Sequence, residues 1–95
     1  MENHDHFFYV LLCKDGSFYG GYTTNLERRI KLHNEGKGAK YTRGRGPVKL
    51  VFSRGYDNKG DALRAEYQFK RLARKKKDEF LLREAGVNDV AAKEL

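Results

Sequence analysis

The run Phe7-Phe8-Tyr9-Val10-Leu11-Leu12-Cys13, the turn signal Asp15-Gly16 and the segment Ser17-Phe18-Tyr19-Gly20-Gly21-Tyr22 together decide the fold. The first run is uncharged, rich in strand-forming residues and too short for a typical helix, so it reads as a buried strand. The second is short and aromatic, and the turn between them predicts a β-hairpin.

Working outward, Thr24 and Glu27 have the spacing of a capping box, and Leu26, Ile30 and His33 recur at helical intervals behind it. Gly36 is the natural stop. The segment from Lys37 to Pro47 is basic and Gly-rich without apolar period, the composition of an exposed loop. Val48 to Phe52 supplies a third strand. A turn around Asp57-Asn58-Lys59-Gly60 leads into the longest helical stretch, where Ala62, Ala65, Phe69, Leu72 and Ala73 share one stripe. Four cations from Arg74 to Lys77 interrupt that stripe, and Phe80-Leu81-Leu82 suggests a last helical turn or two, ended by Gly86. The order β-β-α-β-α-α describes an α+β fold, a small three-stranded, mainly antiparallel sheet flanked by helices. One domain over 7–84 is expected, with a flexible start at 1–6 and a frayed tail at 85–95.

Composition agrees with a single domain: 95 residues are too few to divide between two cores. Hydrophobic residues make up 39% and charged residues 35%, which suits a small core under a charged surface and excludes a disordered segment. A formal net charge of +7 concentrates polyanions, with nucleic acid as the leading partner. No stretch approaches the ~20 apolar residues of a bilayer span, so no membrane partner is expected. The start carries acids and histidines instead of the apolar run of a secretory signal. One cysteine, Cys13, permits no internal disulfide, in keeping with a cytoplasmic location.

Several residues have chemistry beyond packing. Tyr9 and Tyr19 lie on the two hairpin strands, and Gly20-Gly21 beside the second lets a backbone or substrate come close. Tyrosine is nonetheless common in strands as packing. Arg29 and His33 are one turn apart beside Leu26 and Ile30, so the arginine either lays its stem on the core or points into a cleft. Glu66 falls on the core-facing stripe of the long helix, where a lone carboxylate is costly. It needs a cation such as Arg29 or a divalent metal, and periodicity does not choose between them. Lys37, Lys40, Arg43, Arg45 and Lys49 surround Tyr41 without an acid among them, and Lys70, Arg71 and Arg74 to Lys77 form a second cluster. Cations match phosphates and a tyrosine ring can stack on a base, although a merely solvated basic face has the same composition. The expected nucleic-acid contacts are Lys37, Lys40, Tyr41, Arg43, Arg45, Lys70 and Arg74. Cys13 inside an apolar strand is a poor nucleophile, and His4 and His6 lack the cysteines of a zinc site.

Together these residues resemble the GIY-YIG nuclease superfamily, which includes the nuclease making the first incision in excision repair and several homing and restriction endonucleases. The resemblance runs from about Phe7 to Leu82. Phe7-Phe8-Tyr9 corresponds to the first motif and Tyr19-Gly20-Gly21 to the second. In Tyr22-Thr23-Thr24-Asn25-Leu26-Glu27-Arg28-Arg29-Ile30 the second arginine corresponds to the catalytic one, His33 falls where relatives have His or Tyr, and Glu66 in Leu63-Arg64-Ala65-Glu66-Tyr67 corresponds to the metal-binding glutamate. The short length and Lys37-Gly38-Ala39-Lys40-Tyr41-Thr42-Arg43-Gly44 are most similar to the small stand-alone bacterial branch. Two phenylalanines replace Gly and Ile of the first triplet, Gly20 replaces the middle of the second, and Asn88 is no secure match for the Asn near the end of many relatives. No appended DNA-binding domain is expected, which leaves room for a separate targeting partner.

The resemblance implies metal-dependent hydrolysis of phosphodiester bonds in DNA or RNA, with Mg²⁺ or Mn²⁺ at Glu66. Arg29 would hold the phosphoryl oxygens. Tyr9 is the favoured base, Tyr19 the positioning phenol, and His33 an aid to proton transfer; the base role requires the pKa of Tyr9 to fall, towards which Arg29 and the metal push. A plain two-residue turn at Asp15-Gly16 would put Tyr19 on the face opposite Tyr9, so an odd-numbered loop or a bulge at Gly16 is predicted. The rival function is a basic nucleic-acid-binding module that keeps the nuclease fold and cuts nothing. A third is an assembly protein whose basic surface meets acidic proteins.

Overall fold

The computed structural model describes residues 5–85, and its elements follow the expected order. Strand β1 (His6–Leu12) pairs antiparallel with β2 (Phe18–Thr23) on one side and β3 (Lys49–Tyr56) on the other, giving the order β2-β1-β3. Its central position accounts for the unbroken apolar run. Phe8 and Val10 face one side of the sheet, Tyr9 and Leu11 the other, and all four are exposed by 1% or less. The Phe8 face packs with Phe52, with Phe69 of α2 (Lys59–Lys70) and with Leu81 of α3 (Arg74–Ala85). Phe80 completes this cluster, its ring 5.3 Å from Phe52 and 5.5 Å from Phe69. The Tyr9 face packs with Cys13, Val48 and Tyr19, and with Leu26 and Ile30 of α1 (Leu26–Asn34).

Hairpin register brings the two phenols to one face, as predicted. Leu11 opposes Tyr19 and Tyr9 opposes Gly21, so Tyr9, Leu11 and Tyr19 point the same way. The connection is the odd-numbered loop 13–17, in which Gly16 takes φ +87°, a conformation favouring glycine. Ser17 braces it by donating its N–H and hydroxyl to Asp15 Oδ1 at 3.0 and 2.6 Å.

Several boundaries differ from the sequence reading, each for a local reason. His6, assigned to a flexible start, opens β1 and places Nδ1 2.8 Å from the Tyr22 hydroxyl. The N-cap of α1 is Asn25, not Thr24: its Oδ1 accepts from the Arg28 N–H at 3.1 Å, while Thr23 Oγ1 accepts from the Asn25 N–H at 3.1 Å. Gly36, with φ +76°, does follow the end of this helix. Strand β3 continues past Phe52 to Tyr56, because an edge strand needs only β1 for its ladder and leaves Ser53 and Arg54 exposed. The long helix stops at Lys70, so Ala73 is exposed between two helices and not on the core stripe. The cations from Arg74 to Lys77 do not interrupt helix; they form the first turn of α3, where Arg74–Asp78 at 3.1 Å and Lys76–Glu79 at 3.4 Å supply helical ion pairs. The Lys37 to Pro47 loop is not wholly exposed, for it holds a 3-10 turn at Lys40–Thr42 with Thr42 buried. Ala85, the first residue of the expected tail, is still in α3, whereas residues 1–4 and 86–95, Gly86 and Asn88 among them, lie outside the described residues.

Candidate active site

The site is built from the hairpin outward. Tyr9 needs room on the β2 side, and glycine provides it: a Cβ on Gly21 would stand 2.5 Å from Tyr9 Cζ and 3.0 Å from Tyr19 Cε2. The Tyr9 ring lies across that glycine, with Tyr19 6.4 Å away between centroids. From α1, His33 projects beneath both rings, 5.9 Å from Tyr9 and 5.3 Å from Tyr19. The Tyr9 hydroxyl is 2.9 Å from His33 Nε2, and His33 Nδ1 is 2.8 Å from Thr42 Oγ1. Thr42 donates its hydroxyl hydrogen to the Ala39 carbonyl at 3.0 Å, so its oxygen accepts from the imidazole. This network assigns the proton to Nδ1 and makes Nε2 the acceptor of the Tyr9 O–H. The Ala39 N–H also approaches Nδ1, but at 3.5 Å it is the weaker contact and does not decide the tautomer.

Burial tunes both groups. Desolvation, and then the nearby Arg29 charge, push His33 down to about 4, so it is neutral at ordinary pH. Desolvation pushes Tyr9 up to about 12 against the pull of Arg29, while Tyr19 and Glu66 act in the same direction as burial. Burial thus outweighs the pull of Arg29, one of the two influences expected to lower the Tyr9 pKa. Arg29, Tyr19 and Glu66 are thus all near enough for their charges to act on the Tyr9 hydroxyl.

Arg29 precedes His33 by one turn of α1, and its Nε is buried without a hydrogen-bond partner. Glu66 comes from α2, which packs on β1 and β2, where Gly20 admits Phe69: a Cβ there would be 3.1 Å from Phe69 Cδ2. The Glu66 side chain is 17% exposed, and its partner is Lys70, one turn later, at 2.8 Å. The sequence reading offers a cation such as Arg29 or a divalent metal as the partner, and does not single out Lys70 on the same helix face.

The five residues Tyr9, Tyr19, Arg29, His33 and Glu66 thus converge, though not equally at the surface, since Tyr9 and His33 are exposed by 0% and 1%. A groove beside them is lined by Phe18, Tyr19, Gly20, Tyr41, Lys70 and Lys77. Tyr41 stacks on Tyr19 with centroids 5.9 Å apart, and the Arg45 guanidinium lies 4.2 Å from the Tyr41 centroid. Arg74 covers Phe18 at 4.3 Å. The aromatic and basic residues expected to meet nucleic acid therefore gather around this groove, while Lys37, Lys40 and Arg43 are exposed on the neighbouring loop. The basic loop is not free of counter-charge, because Arg45 Nε pairs with Asp15 of the hairpin loop at 3.0 Å. Sequence reasoning missed Thr42 and Gly38, where a Cβ would stand 2.7 Å from His33 Cγ. The only signal was their place in a loop rich in glycine.

Residues 5–79 match the family described as the GIY-YIG catalytic domain. The chain belongs to the GIY-YIG family. This GIY-YIG protein is 57% identical over 81 residues to a UPF0213 protein of Bacillus velezensis, covering 85% of this chain and 82% of the relative. It is 54% identical over 81 residues to the UPF0213 protein YazA of Bacillus subtilis, with the same coverage. The solution NMR structure of the UPF0213 protein BH0048 from Bacillus halodurans superposes with a TM-score of 0.60 at 50% identity, over 93% of this chain and 94% of that one. Membership places the GIY-YIG chain in a nuclease superfamily, with nucleic acid as the class of partner. Among the described residues, no helix is long and apolar enough to cross a membrane.

Proposed function

We propose that this GIY-YIG domain is a divalent-metal-dependent endonuclease that hydrolyses phosphodiester bonds in DNA or RNA. The observation that carries the reading is the partly buried Arg29 guanidinium, whose Nε has no partner and whose charge, like that of Glu66, acts on Tyr9. A guanidinium with an unmet N–H and part of its side chain accessible calls for an acceptor, and a phosphoryl oxygen meets it with the right charge and geometry.

Glu66 would hold the metal. Among the described residues no group of three or more His, Cys, Asp or Glu side chains gathers around an ion position. One carboxylate suits Mg²⁺ or Mn²⁺, which keep several waters, better than it suits a structural zinc. A bound ion there supplies charge stabilisation for the phosphate and the leaving oxygen. Arg29 holds the phosphoryl oxygens and gains strength as charge grows in the transition state.

Exposure separates the two phenols. Tyr9 is wholly covered and its pKa is raised, so its phenolate is scarce near neutrality and its hydroxyl does not meet solvent. Tyr19 lines the groove. We therefore assign the contact with the attacking water to Tyr19 and a positioning role to Tyr9, the reverse of the preference drawn from sequence. Neutral His33 fixes the Tyr9 ring through its Nε2, and Thr42 fixes the imidazole. Lys40, Arg43, Arg45 and Arg74 would hold the flanking backbone by charge, and Tyr41 would stack on a base.

The test is incubation of purified protein with plasmid, single-stranded DNA and RNA in Mg²⁺, Mn²⁺ or EDTA. Cleavage that requires metal and disappears in both Arg29→Ala and Glu66→Ala is expected. The Glu66–Lys70 ion pair favours the second reading, a binding module without activity, because a neutralised carboxylate attracts a cation less. Salt-sensitive binding with no cutting in any metal would select that reading.

A further inference from the structure

Lys70 is placed where it affects both halves of the site. Its ammonium is 2.8 Å from Glu66 Oε2 and 5.4 Å from the centroid of Tyr19, and it lines the groove beside Tyr41 and Lys77. The Glu66 side chain is only 17% exposed, so few directions remain from which another cation can approach its carboxylate. The Lys70 side chain is 48% exposed and can leave without opening the core.

We infer that Lys70 is a resident cation at Glu66 which a divalent ion must displace, and that it thereby sets the affinity of the site for metal. The inference rests on the assignment of Glu66 as the metal ligand. An ammonium and a divalent ion compete for the same oxygen, and two such charges within a few ångströms repel each other. A long, half-exposed lysine is suited to this role, because its ammonium can move into solvent when an ion takes its place, while its charge still opposes that ion. Once displaced, the ammonium remains tethered to α2 beside the groove, where its charge is available to a phosphate.

The test measures Mn²⁺ bound to the intact protein, without nucleic acid, from the loss of the free-ion signal in electron paramagnetic resonance. Lys70→Met should bind Mn²⁺ on the order of tenfold more tightly than the parent. Lys77→Met removes the same charge from the same groove without touching Glu66, and should change the affinity far less. Glu66→Gln should abolish binding in either background, and circular dichroism melting curves should show all variants folded. Glu66-dependent binding of equal strength in the parent and Lys70→Met would overturn the inference while leaving the metal assignment intact. An equal gain from Lys77→Met would reduce Lys70 to a contributor of general charge. No Glu66-dependent binding in any variant would remove the inference together with the metal assignment.

Discussion

The Tyr9 hydroxyl sits 2.9 Å from Nε2 of His33, and both side chains are sealed from solvent within a site whose other members reach the surface. Two titratable groups hidden together act as a brace before they act as reagents. Their burial raises one pKa to about 12 and lowers the other to about 4, so both are neutral between those values.

Stability should therefore fall on mild acidification. His33 titrates at about 4 in the folded protein, below the ordinary histidine value, so between these limits the unfolded chain binds a proton that the folded one does not. The contribution is present above about 6.5 and is lost as pH falls towards about 4, by about 3 kcal/mol at most. Urea unfolding at stepped pH measures it, and His33→Gln should flatten the slope. A slope unchanged by that substitution would mean that other groups cause the acid sensitivity.

Phenol exposure predicts a division between Tyr9→Phe and Tyr19→Phe. The first leaves His33 Nε2 without its donor in the interior and should lower stability by about 1–3 kcal/mol. The second should leave stability nearly unchanged and remove most metal-dependent cleavage, a loss of about 10²–10⁴-fold. Parallel melting curves and single-turnover rates separate the two, and full activity in Tyr19→Phe would return the base role to Tyr9.

Gly21→Ala should damage fold and site together. Its Cβ would intrude on the rings of Tyr9 and Tyr19, one of them buried, and overpacking of that kind costs about 1–3 kcal/mol or more. Gly16→Ala meets nothing within 4 Å but must adopt φ +87°, so its cost of about 1 kcal/mol comes from backbone strain alone. Chemical denaturation compares them; a Gly21→Ala protein as stable as the parent would show that the phenols can move aside.

Nucleic-acid binding should respond differently to the cations and to Tyr41. Lys40→Ala and Arg43→Ala remove exposed charges and should each reduce the steepness of the salt dependence by about 1. Tyr41→Ala should weaken single-stranded oligonucleotides by about 1–3 kcal/mol with little change in that steepness. Fluorescence anisotropy at several salt concentrations reads both, and equal behaviour of all three variants would exclude a stacking role for the ring.

Much of the fold was legible because its signals are local. Phe7 to Leu12 read as a strand covered on both faces, though Cys13 at its end falls in the hairpin loop, and Gly36 read as the stop of a helix. The helix break at Lys70 was not legible, since Leu72 continues the apolar period and merely packs from outside the helix. The odd-numbered hairpin loop was reached only by requiring Tyr9 and Tyr19 to share a face. Thr42 escaped notice because nothing in Lys40-Tyr41-Thr42 announces burial; its hydroxyl matters only once His33 lies against it.

The order of chain elements was determined by the sequence, because periodicity and turn chemistry are properties of neighbours along the chain, and the five residues of the proposed site were named there through the family resemblance. Which phenol faces solvent was decided only by the tertiary structure. Exposure depends on distances between segments far apart in sequence. Here Gly21, Gly38 and the turn around Thr42 close over Tyr9 and His33, while the groove leaves Tyr19 within reach.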